Sequence, residues 1–350
     1  MTQERRTRVL VVDDSAIVRK VLSDILSAQP DLEVVGTAPD PYVARDKILA
    51  LAPDVLTLDI EMPRMDGLTF LKRIMRFHPL PVIVISSLAQ NSTKSAMEAL
   101  TEGAVDVLAK PGGPYSVGDL KEDLPRRVRA AARSRLPAAH PPPAAARVPA
   151  KAADAQGALR QMVIALGAST GGTQAIERVL TSLPAAMPPI VVTQHIPPVF
   201  SAAFAERLNR VCALEVREAK GGELLSPGTA WIAPGDRHLL LEKAGAGWRI
   251  RLDDGPKVCY QRPSVDVMFK SVSSSLGSAA LGVLMTGMGS DGADGLLAMR
   301  RAGAETVAQD EASCVVFGMP REAIRVGAAA QVLSLDAIAP MVLKKSRVTQ

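Results

Sequence analysis

Residues 136–158 contain ten alanines and five prolines in 23 positions, and no other segment constrains the fold as strongly. A stretch of this composition has few large apolar side chains to bury, so we expect it to behave as a partly extended, flexible linker. A chain of 350 residues is also long for a single core. We therefore predict two domains, over residues 1–135 and 159–350, joined by this Pro/Ala-rich linker.

The first domain alternates between apolar runs and helical patterns. The strand-like runs are RVLVV, EVVGTA, DVLTLD, VIVIS and DVLAK. The clearest helix begins near Ser15 and places apolar residues on one face at 3.6-residue spacing. Five such units predict a doubly wound parallel sheet of flavodoxin-like type.

The second domain shows the same alternation. MVIALG, PIVVTQH, LGVLMTG, ETVAQ and QVLSL are typical of strands, each with a helical pattern nearby. Residues 215–253 form a hairpin-like insertion. The pattern predicts a second doubly wound parallel sheet, a Rossmann-like α/β domain with a β-hairpin insertion.

The charge distribution argues against a nucleic-acid partner. The net charge is +5, but residues 125–158 hold seven Arg or Lys and one acidic residue, a local charge of +6. The rest of the chain is therefore near −1 (5 minus 6). Aromatic residues make up only 3%, too few for base-stacking platforms.

The sequence also predicts a cytoplasmic protein with no direct membrane insertion. No apolar run approaches the roughly 20 residues that a membrane-spanning helix needs. The charged N-terminus leads directly into a strand, which does not resemble a secretory signal. Three cysteines without CxxC spacing are expected to be free thiols in a reducing compartment.

Polar residues cluster at the predicted strand ends of the first domain. They are Asp13, Asp14, Asp59, Ser86 and Lys110. In a doubly wound sheet these ends share one edge, and three carboxylates there suit Mg²⁺. One carboxylate can then attack a phosphoryl group whose oxygens the metal ion and the lysine neutralise. Helix capping explains any one of these aspartates, but not the whole set.

The sequence GASTG, residues 167–171, places Ser169 where an apolar run turns into a helix. Such a turn serves either as a phosphate cradle or as the G-x-S-x-G elbow that presents a nucleophile. The local sequence leaves both readings open. A nucleophile also requires a base and an acid that orients it.

Two histidines are candidates for the base. His195 ends PIVVTQH, on the strand predicted beside the one that bears Ser169, and His238 follows the turn in IAPGDRHLLLE. His78 and His140 lie in the first domain and the linker and are poor candidates. The glycine-rich loop after LGVLM offers two acids, Asp291 and Asp294, between which composition does not decide.

The first domain resembles the receiver domain of response regulators over residues 8–130. The matching stretches are VVDDS, LTLDIEMPRMDG, VIVISS and AKP. The resemblance implies that Asp59 accepts a phosphoryl group and, with Asp13 and Asp14, binds Mg²⁺. It implies that the phosphate-sensing residues are Ser86 and Lys110.

One position departs from the receiver pattern. Receivers often have Tyr or Phe three residues before the lysine, and this chain has Val107 there. The departure puts aromatic gating in doubt, but not phosphorylation.

The second domain resembles the catalytic domain of the chemotaxis protein-glutamate methylesterases, which also deamidate glutamine. The matching stretches are IALGASTGG, TQHIPPVFSAAFAERLN, WIAPGDRHL, RPSVDVMF and TGMGSDGADG. The resemblance implies the triad Ser169, His195 and Asp291, and no cofactor for hydrolysis. We predict an oxyanion hole made by the backbone N–H groups of Met288 and Thr170.

The resemblance also implies partners and control. Methyl-accepting chemotaxis receptors supply the substrate, a glutamate γ-methyl ester, and a chemotaxis histidine kinase supplies the phosphoryl group. The receiver is expected to shield the catalytic cleft until Asp59 is phosphorylated. Arg262 is open to two interpretations, a guide for an acidic receptor helix or a structural ion pair.

Three other hypotheses compete with this one. The chain is a binding module with a decayed triad, a DNA-binding regulator, or the same enzyme serving receptors of another output such as surface motility. All three triad residues are present, and the second domain is neither basic nor of helix-turn-helix pattern, which disfavours the first two. The catalytic residues do not distinguish the third.

Overall fold

The structure is a computed structural model that describes residues 5–110, 116–135 and 158–347. Apart from Ala158, the predicted linker lies outside these residues. The chain divides into two compact units, residues 1–139 and 140–350.

The first unit is a five-stranded parallel sheet with helices between consecutive strands. The strands are β1 (Thr7–Val12), β2 (Leu32–Ala38), β3 (Val55–Asp59), β4 (Val82–Ser86) and β5 (Asp106–Ala109). The helices are α1 (Ala16–Ser27), α2 (Pro41–Leu51), α3 (Gly67–Phe77), α4 (Gln90–Thr101) and α5 (Val117–Ala132). The strand order β2-β1-β3-β4-β5 confirms the predicted flavodoxin-like fold.

The second unit is built on a seven-stranded parallel sheet. Its strands are β6 (Val163–Ala168), β7 (Ile190–Gln194), β8 (Glu215–Glu218), β9 (Thr229–Ile232), β12 (Ala280–Leu284), β13 (Glu305–Gln309) and β14 (Gln331–Leu333). The helices are α6 (Gly172–Thr181), α7 (Phe200–Val211), α8 (Val265–Leu276), α9 (Ala293–Arg301), α10 (Met319–Arg325) and α11 (Leu335–Lys345). The order β14-β13-β12-β6-β7-β9-β8 places β6 next to both β7 and β12.

The prediction of a hairpin over residues 215–253 is only partly correct. The antiparallel pair β10 (His238–Ala244) and β11 (Gly247–Asp253) is a hairpin. In contrast, β8 and β9 pair in parallel with each other, and β9 pairs with β7, so both extend the main sheet. Short apolar runs look alike whether their partner is parallel or antiparallel, and this is why the sequence misled.

The basic residues near the linker are also partly structural. Three of the seven, Arg126, Arg127 and Arg129, lie on α5, and each pairs with an aspartate. The pair between Arg127 Nη1 and Asp106 Oδ1, at 2.6 Å, is nearly buried and ties α5 to β5. The positive charge therefore does not belong to the linker alone.

Both units consist of ordinary surface helices packed on sheets. None of the helices in the described ranges is both long enough and apolar enough to cross a bilayer. None of the three cysteines, Cys212, Cys259 and Cys314, forms a disulfide, as predicted.

Candidate active site

Ser169 lies in a tight turn between β6 and α6. Gly171, at φ +76°, has a left-handed backbone, and a Cβ there would approach the Val315 side chain to 2.5 Å. A Cβ at Gly167 would lie 2.3 Å from Val265 Cγ1, so α8 packs directly on the end of β6. Gly172 N donates to the Ser169 carbonyl at 2.6 Å and closes the turn. The glycines of the motif thus allow the backbone approaches that an elbow needs.

His195 occupies the matching position on the neighbouring strand. Ala168 and Gln194 are partners across β6 and β7, and His195 N donates to the Ala168 carbonyl at 3.1 Å. Ser169 and His195 therefore directly follow two adjacent strands, β6 and β7, at the same edge of the sheet. Both are buried, with 7% and 2% exposure.

The loop after β12 reaches the same edge. Ser169 N donates to the Thr286 carbonyl at 2.9 Å, and a Cβ on Gly287 would lie 2.7 Å from Ser169 Cβ. Farther along this loop, Asp291 Oδ2 lies 2.7 Å from His195 Nε2. Asp294 is exposed in the first turn of α9. Of the two aspartates, the structure brings Asp291 to the histidine.

Asp291 is held by the N-terminus of α8. Its Oδ1 accepts from Ser264 Oγ at 2.7 Å and from Asp266 N at 3.1 Å, and its Oδ2 accepts from Val265 N at 2.7 Å. Burial alone would raise the pKa of Asp291. The hydrogen bonds from His195, Ser264 and Val265 outweigh burial and hold the pKa below its usual value. Asp291 is thus a buried carboxylate whose charge is stabilised by aligned donors.

The two nitrogens of the His195 imidazole have different hydrogen-bonding environments. Nε2 donates to Asp291, so the lone pair lies on Nδ1. Nδ1 is buried and has no hydrogen-bond partner among the described residues, Ser169 Oγ included. The nitrogen that faces the acid is the reverse of that in chymotrypsin-type triads, where Nδ1 does so. No sequence pattern indicates which nitrogen faces the acid.

His238 and Arg262 have structural partners. His238 Nδ1 accepts from Ser264 N at 3.1 Å, and its Nε2 lies 3.0 Å from the Pro256 carbonyl. Both nitrogens are thus engaged, which removes His238 as a base. Arg262 pairs with Asp236 at 2.7 Å and donates to two backbone carbonyls, in agreement with the ion-pair interpretation.

Two residues at this edge were missed from the sequence. Ser264 stands before an apolar helical run, which is a signal for a helix N-cap. In the structure its hydroxyl also donates to Asp291. Gln194 is 2% exposed, and its Nε2 donates to the carbonyls of Ser169 at 2.8 Å and His195 at 3.2 Å. Nothing in the sequence distinguishes this glutamine from an ordinary strand residue.

The predicted oxyanion donors are close to Ser169. Met288 directly follows Gly287, which packs on Ser169, and its N–H has no hydrogen-bond partner within the described part of the chain. Thr170 is 2% exposed, and its carbonyl accepts from Thr286 Oγ1 at 3.0 Å. The loop backbone and the residue after the nucleophile therefore both lie next to Ser169.

The first unit brings its three carboxylates together. Oxygens of Asp13, Asp14 and Asp59 lie within 4.8 Å of one another. Oδ2 of Asp13 and of Asp59 is buried without a hydrogen bond of good geometry, and Lys110 Nζ lies 3.0 Å from the first and 2.8 Å from the second. Burial, with the nearby charge of Asp13, raises the pKa of Asp59 to about 6 against the opposing effect of Lys110. This donor set fits a hard divalent cation such as Mg²⁺.

Ser86 and Val107 lie on the strands next to this cluster. Ser86 ends β4 beside β3 and is buried, and its Oγ donates to the carbonyls of Ser87 and Ser92 at 3.3 Å each. Val107 is buried in β5. The hydroxyl of Ser86 therefore contacts the backbone of the segment that runs from β4 into α4.

The fold and the two sites define a class of two-domain proteins. In this class a receiver with a carboxylate cluster is joined to an α/β domain that gathers a serine, a histidine and an aspartate at its strand ends. Residues 164–342 match the family model described as CheB methylesterase, and residues 9–119 match that of the response regulator receiver domain.

Named relatives extend this similarity along the chain. It is 57% identical to protein-glutamate methylesterase/protein-glutamine glutaminase 4 of Anaeromyxobacter dehalogenans (strain 2CP-C), over 98% of this chain and 96% of that relative. It is 50% identical to the protein-glutamate methylesterase/protein-glutamine glutaminase of Escherichia coli (strain K12), over 97% of both chains.

A solved structure matches the second unit. The crystal structure of the Thermotoga maritima CheB methylesterase catalytic domain is similar at a TM-score of 0.52 and 37% identity. The match covers 53% of this chain and 98% of that one. The chain belongs to the CheB methylesterase family.

Proposed function

We propose that this chain hydrolyses glutamate γ-methyl esters of chemotaxis receptors and deamidates receptor glutamines, with Ser169, His195 and Asp291 as its catalytic residues. The observation that most supports this is the 2.7 Å contact between His195 Nε2 and Asp291 Oδ2. It leaves the Nδ1 lone pair at the strand end beside Ser169. The names of the relatives indicate the substrate class.

The geometry supports an acyl-transfer mechanism. Ser169 Oγ attacks the ester carbonyl while His195 Nδ1 accepts its proton, and Asp291 stabilises the imidazolium. The tetrahedral intermediate then expels methanol, which takes the proton from His195. A water molecule, deprotonated by His195, then attacks the acyl carbonyl. Ser169 Oγ leaves, takes this proton back from His195, and the glutamate carboxylate is released. An amide substrate follows the same steps with ammonia as the leaving group.

We propose that the N–H groups of Met288 and Thr170 bind the oxyanion. The close packing of Gly287 on Ser169 supports this proposal, because it brings the loop backbone next to the nucleophile. Loss of one such donor costs roughly 10²–10³ in rate in other hydrolases.

We propose that the receiver controls the esterase through phosphorylation of Asp59 by a chemotaxis histidine kinase. Asp13, Asp14 and Asp59 would hold Mg²⁺, which supplies positive charge against the phosphoryl oxygens when bound. Lys110 Nζ, 2.8 Å from Asp59, adds a second positive charge. Ser86 would turn from the backbone that it contacts to donate to the new phosphate.

We propose that this protein acts in the cytoplasm, the compartment that its cysteines, none of them in a disulfide, indicate. The binding-module hypothesis and receptors of another output remain the rivals, and the first predicts no turnover.

The test is release of labelled methanol from radiomethylated receptor membranes. Ser169→Ala should lower the rate by at least about 10³-fold while circular dichroism is unchanged. Ser182→Ala, an exposed serine at the end of α6, is the matched control and should retain full activity. Methanol release by Ser169→Ala at the wild-type rate would end the proposal.

A further inference from the structure

The N-terminus of α8 binds the carboxylate of Asp291, which lies in the loop before α9, and the N-terminus of α9 binds the carboxylate of Asp266, which lies in α8. Asp291, in the loop before α9, accepts from the backbone N–H groups of Val265 and Asp266 at the start of α8. In return, Asp266 Oδ1 accepts from Gly295 N, in the first turn of α9, at 2.6 Å. The two helix N-termini are thus joined through two carboxylates, which are 2% and 3% exposed.

This reciprocal arrangement is tightly packed. A Cβ on Gly295 would lie 2.7 Å from Phe269 Cβ and 3.0 Å from the Asp266 backbone, so a glycine is needed where α9 begins. An oxygen of Asp266 lies within 4.8 Å of one of Asp291. Because neither helix can move away, the two carboxylates are held next to each other.

Asp266 has no part in the proposed triad, yet it is a buried titratable group in contact with the residue that orients the base. Burial raises the pKa of Asp266 to about 6, and the charges of Asp291 and Asp294 act in the same direction. The Gly295 N–H and the exposed ammonium of Lys270 oppose the shift.

The other titratable neighbours belong to the same cluster. The Cys259 thiol lies within 4.8 Å of both buried carboxylates, and its pKa is raised by burial and by their charges. His195 Nε2 contacts Oδ2 of Asp291, whereas the backbone N–H of Asp266 donates to Oδ1 of the same carboxylate. Of these groups, Asp266 is the buried acid whose charge state is free to change without breaking the contact between His195 and Asp291.

We propose that Asp266 is a positioning residue for the reaction: its ionised carboxylate, behind Asp291, increases the affinity of His195 for a proton. This inference rests on the proposed role of His195 as the base. When Asp266 is ionised, the imidazolium faces two negative charges instead of one, and His195 is the stronger base. When Asp266 is protonated, the carboxyl keeps its bond from Gly295 but no longer contributes charge.

The test is the pH dependence of kcat/KM for methanol release, from pH 5 to 9, in full-length Asp266→Asn. Asparagine retains an oxygen for the Gly295 N–H and removes only the charge. We expect the acid limb of the profile to move to lower pH, by on the order of one unit. Asp294→Asn is the matched control, because it makes the same charge change at an exposed position in the first turn of α9. It should shift the limb by much less, since water screens its charge.

A profile for Asp266→Asn that superimposes on the wild type, or that shifts no more than Asp294→Asn, would overturn the proposal. If Asp266→Asn does not fold, NMR titration of the His195 ring in the wild type replaces it. We expect a curve with two steps, one of which comes from the ionisation of Asp266. A single step would overturn the proposal. The proposed triad fails separately, through continued methanol release by Ser169→Ala.

Discussion

At the scale of single residues, the site depends on how Asp291 is kept charged in a buried place. Isolated carboxylates avoid such positions, because burial favours the neutral form. Here Ser264 Oγ and two backbone N–H groups at the start of α8 supply donors, and His195 supplies another. The carboxylate that orients the base is therefore itself oriented by a helix N-terminus.

The sequence predicts the identity of these residues better than their contacts. GASTG and the histidine that ends a strand indicate Ser169 and His195, because small residues and strand ends leave a local signal. The glycine-rich loop indicates an acid but leaves Asp291 and Asp294 undecided, and only the family resemblance chooses Asp291. The use of Nε2 for Asp291, the hydroxyl of Ser264 and the amide of Gln194 leave no such signal. These contacts arise where distant segments meet, and such meetings are set by the packing of whole elements.

At the scale of elements, the parallel sheets follow from continuous apolar runs, which suit strands covered by helices on both faces. This is why β1 to β5 were predicted from the sequence. The segment 215–232 was not, because β8 and β9 are only four residues each and their pairing depends on β7. Strands of only four residues are too short for a pattern to reveal their partners.

Helix α5 yields a test of receiver stability. Arg127→Met should destabilise the receiver by about 3–5 kcal/mol, because it removes the guanidinium that neutralises the nearly buried Asp106 carboxylate. Arg126→Met, on the same helix, is the control. Its ion pair with Asp123 is more exposed, so the loss should stay below about 1 kcal/mol.

The two tryptophans, Trp231 and Trp248, both lie in the second unit, so their fluorescence follows that unit alone. Circular dichroism follows both units. In thermal unfolding, Arg127→Met should lower the midpoint of the receiver's transition, which circular dichroism reports and tryptophan fluorescence does not. The midpoint of the fluorescence transition should stay unchanged. Equal behaviour of the two arginine variants would contradict the assigned role of the buried pair.

At the scale of the whole molecule, the account joins two sites that lie on separate sheets. A small acyl phosphate with Mg²⁺ should activate methanol release by the full chain. A tenfold activation requires a bias of only about 1.4 kcal/mol between two states. Asp59→Asn should abolish this response and leave the basal rate unchanged.

Asp66→Asn is the matched control for that experiment. Asp66 ends the loop that follows Asp59 and is the N-cap of α3, where its side chain accepts from Thr69 N at 2.8 Å. Asparagine caps helices as well as aspartate does. This variant should respond to the phosphodonor like the wild type. Activation of Asp59→Asn by the phosphodonor would refute control through that carboxylate.

The central claim is that Ser169 and His195 act as one catalytic unit. The most direct measurement compares methanol release by Ser169→Ala, His195→Ala and the double variant, because residues that act together lose activity together. We predict that the double variant is slower than the slower single variant by no more than about threefold. Losses that multiply in the double variant would show that the two residues act independently and would contradict the account.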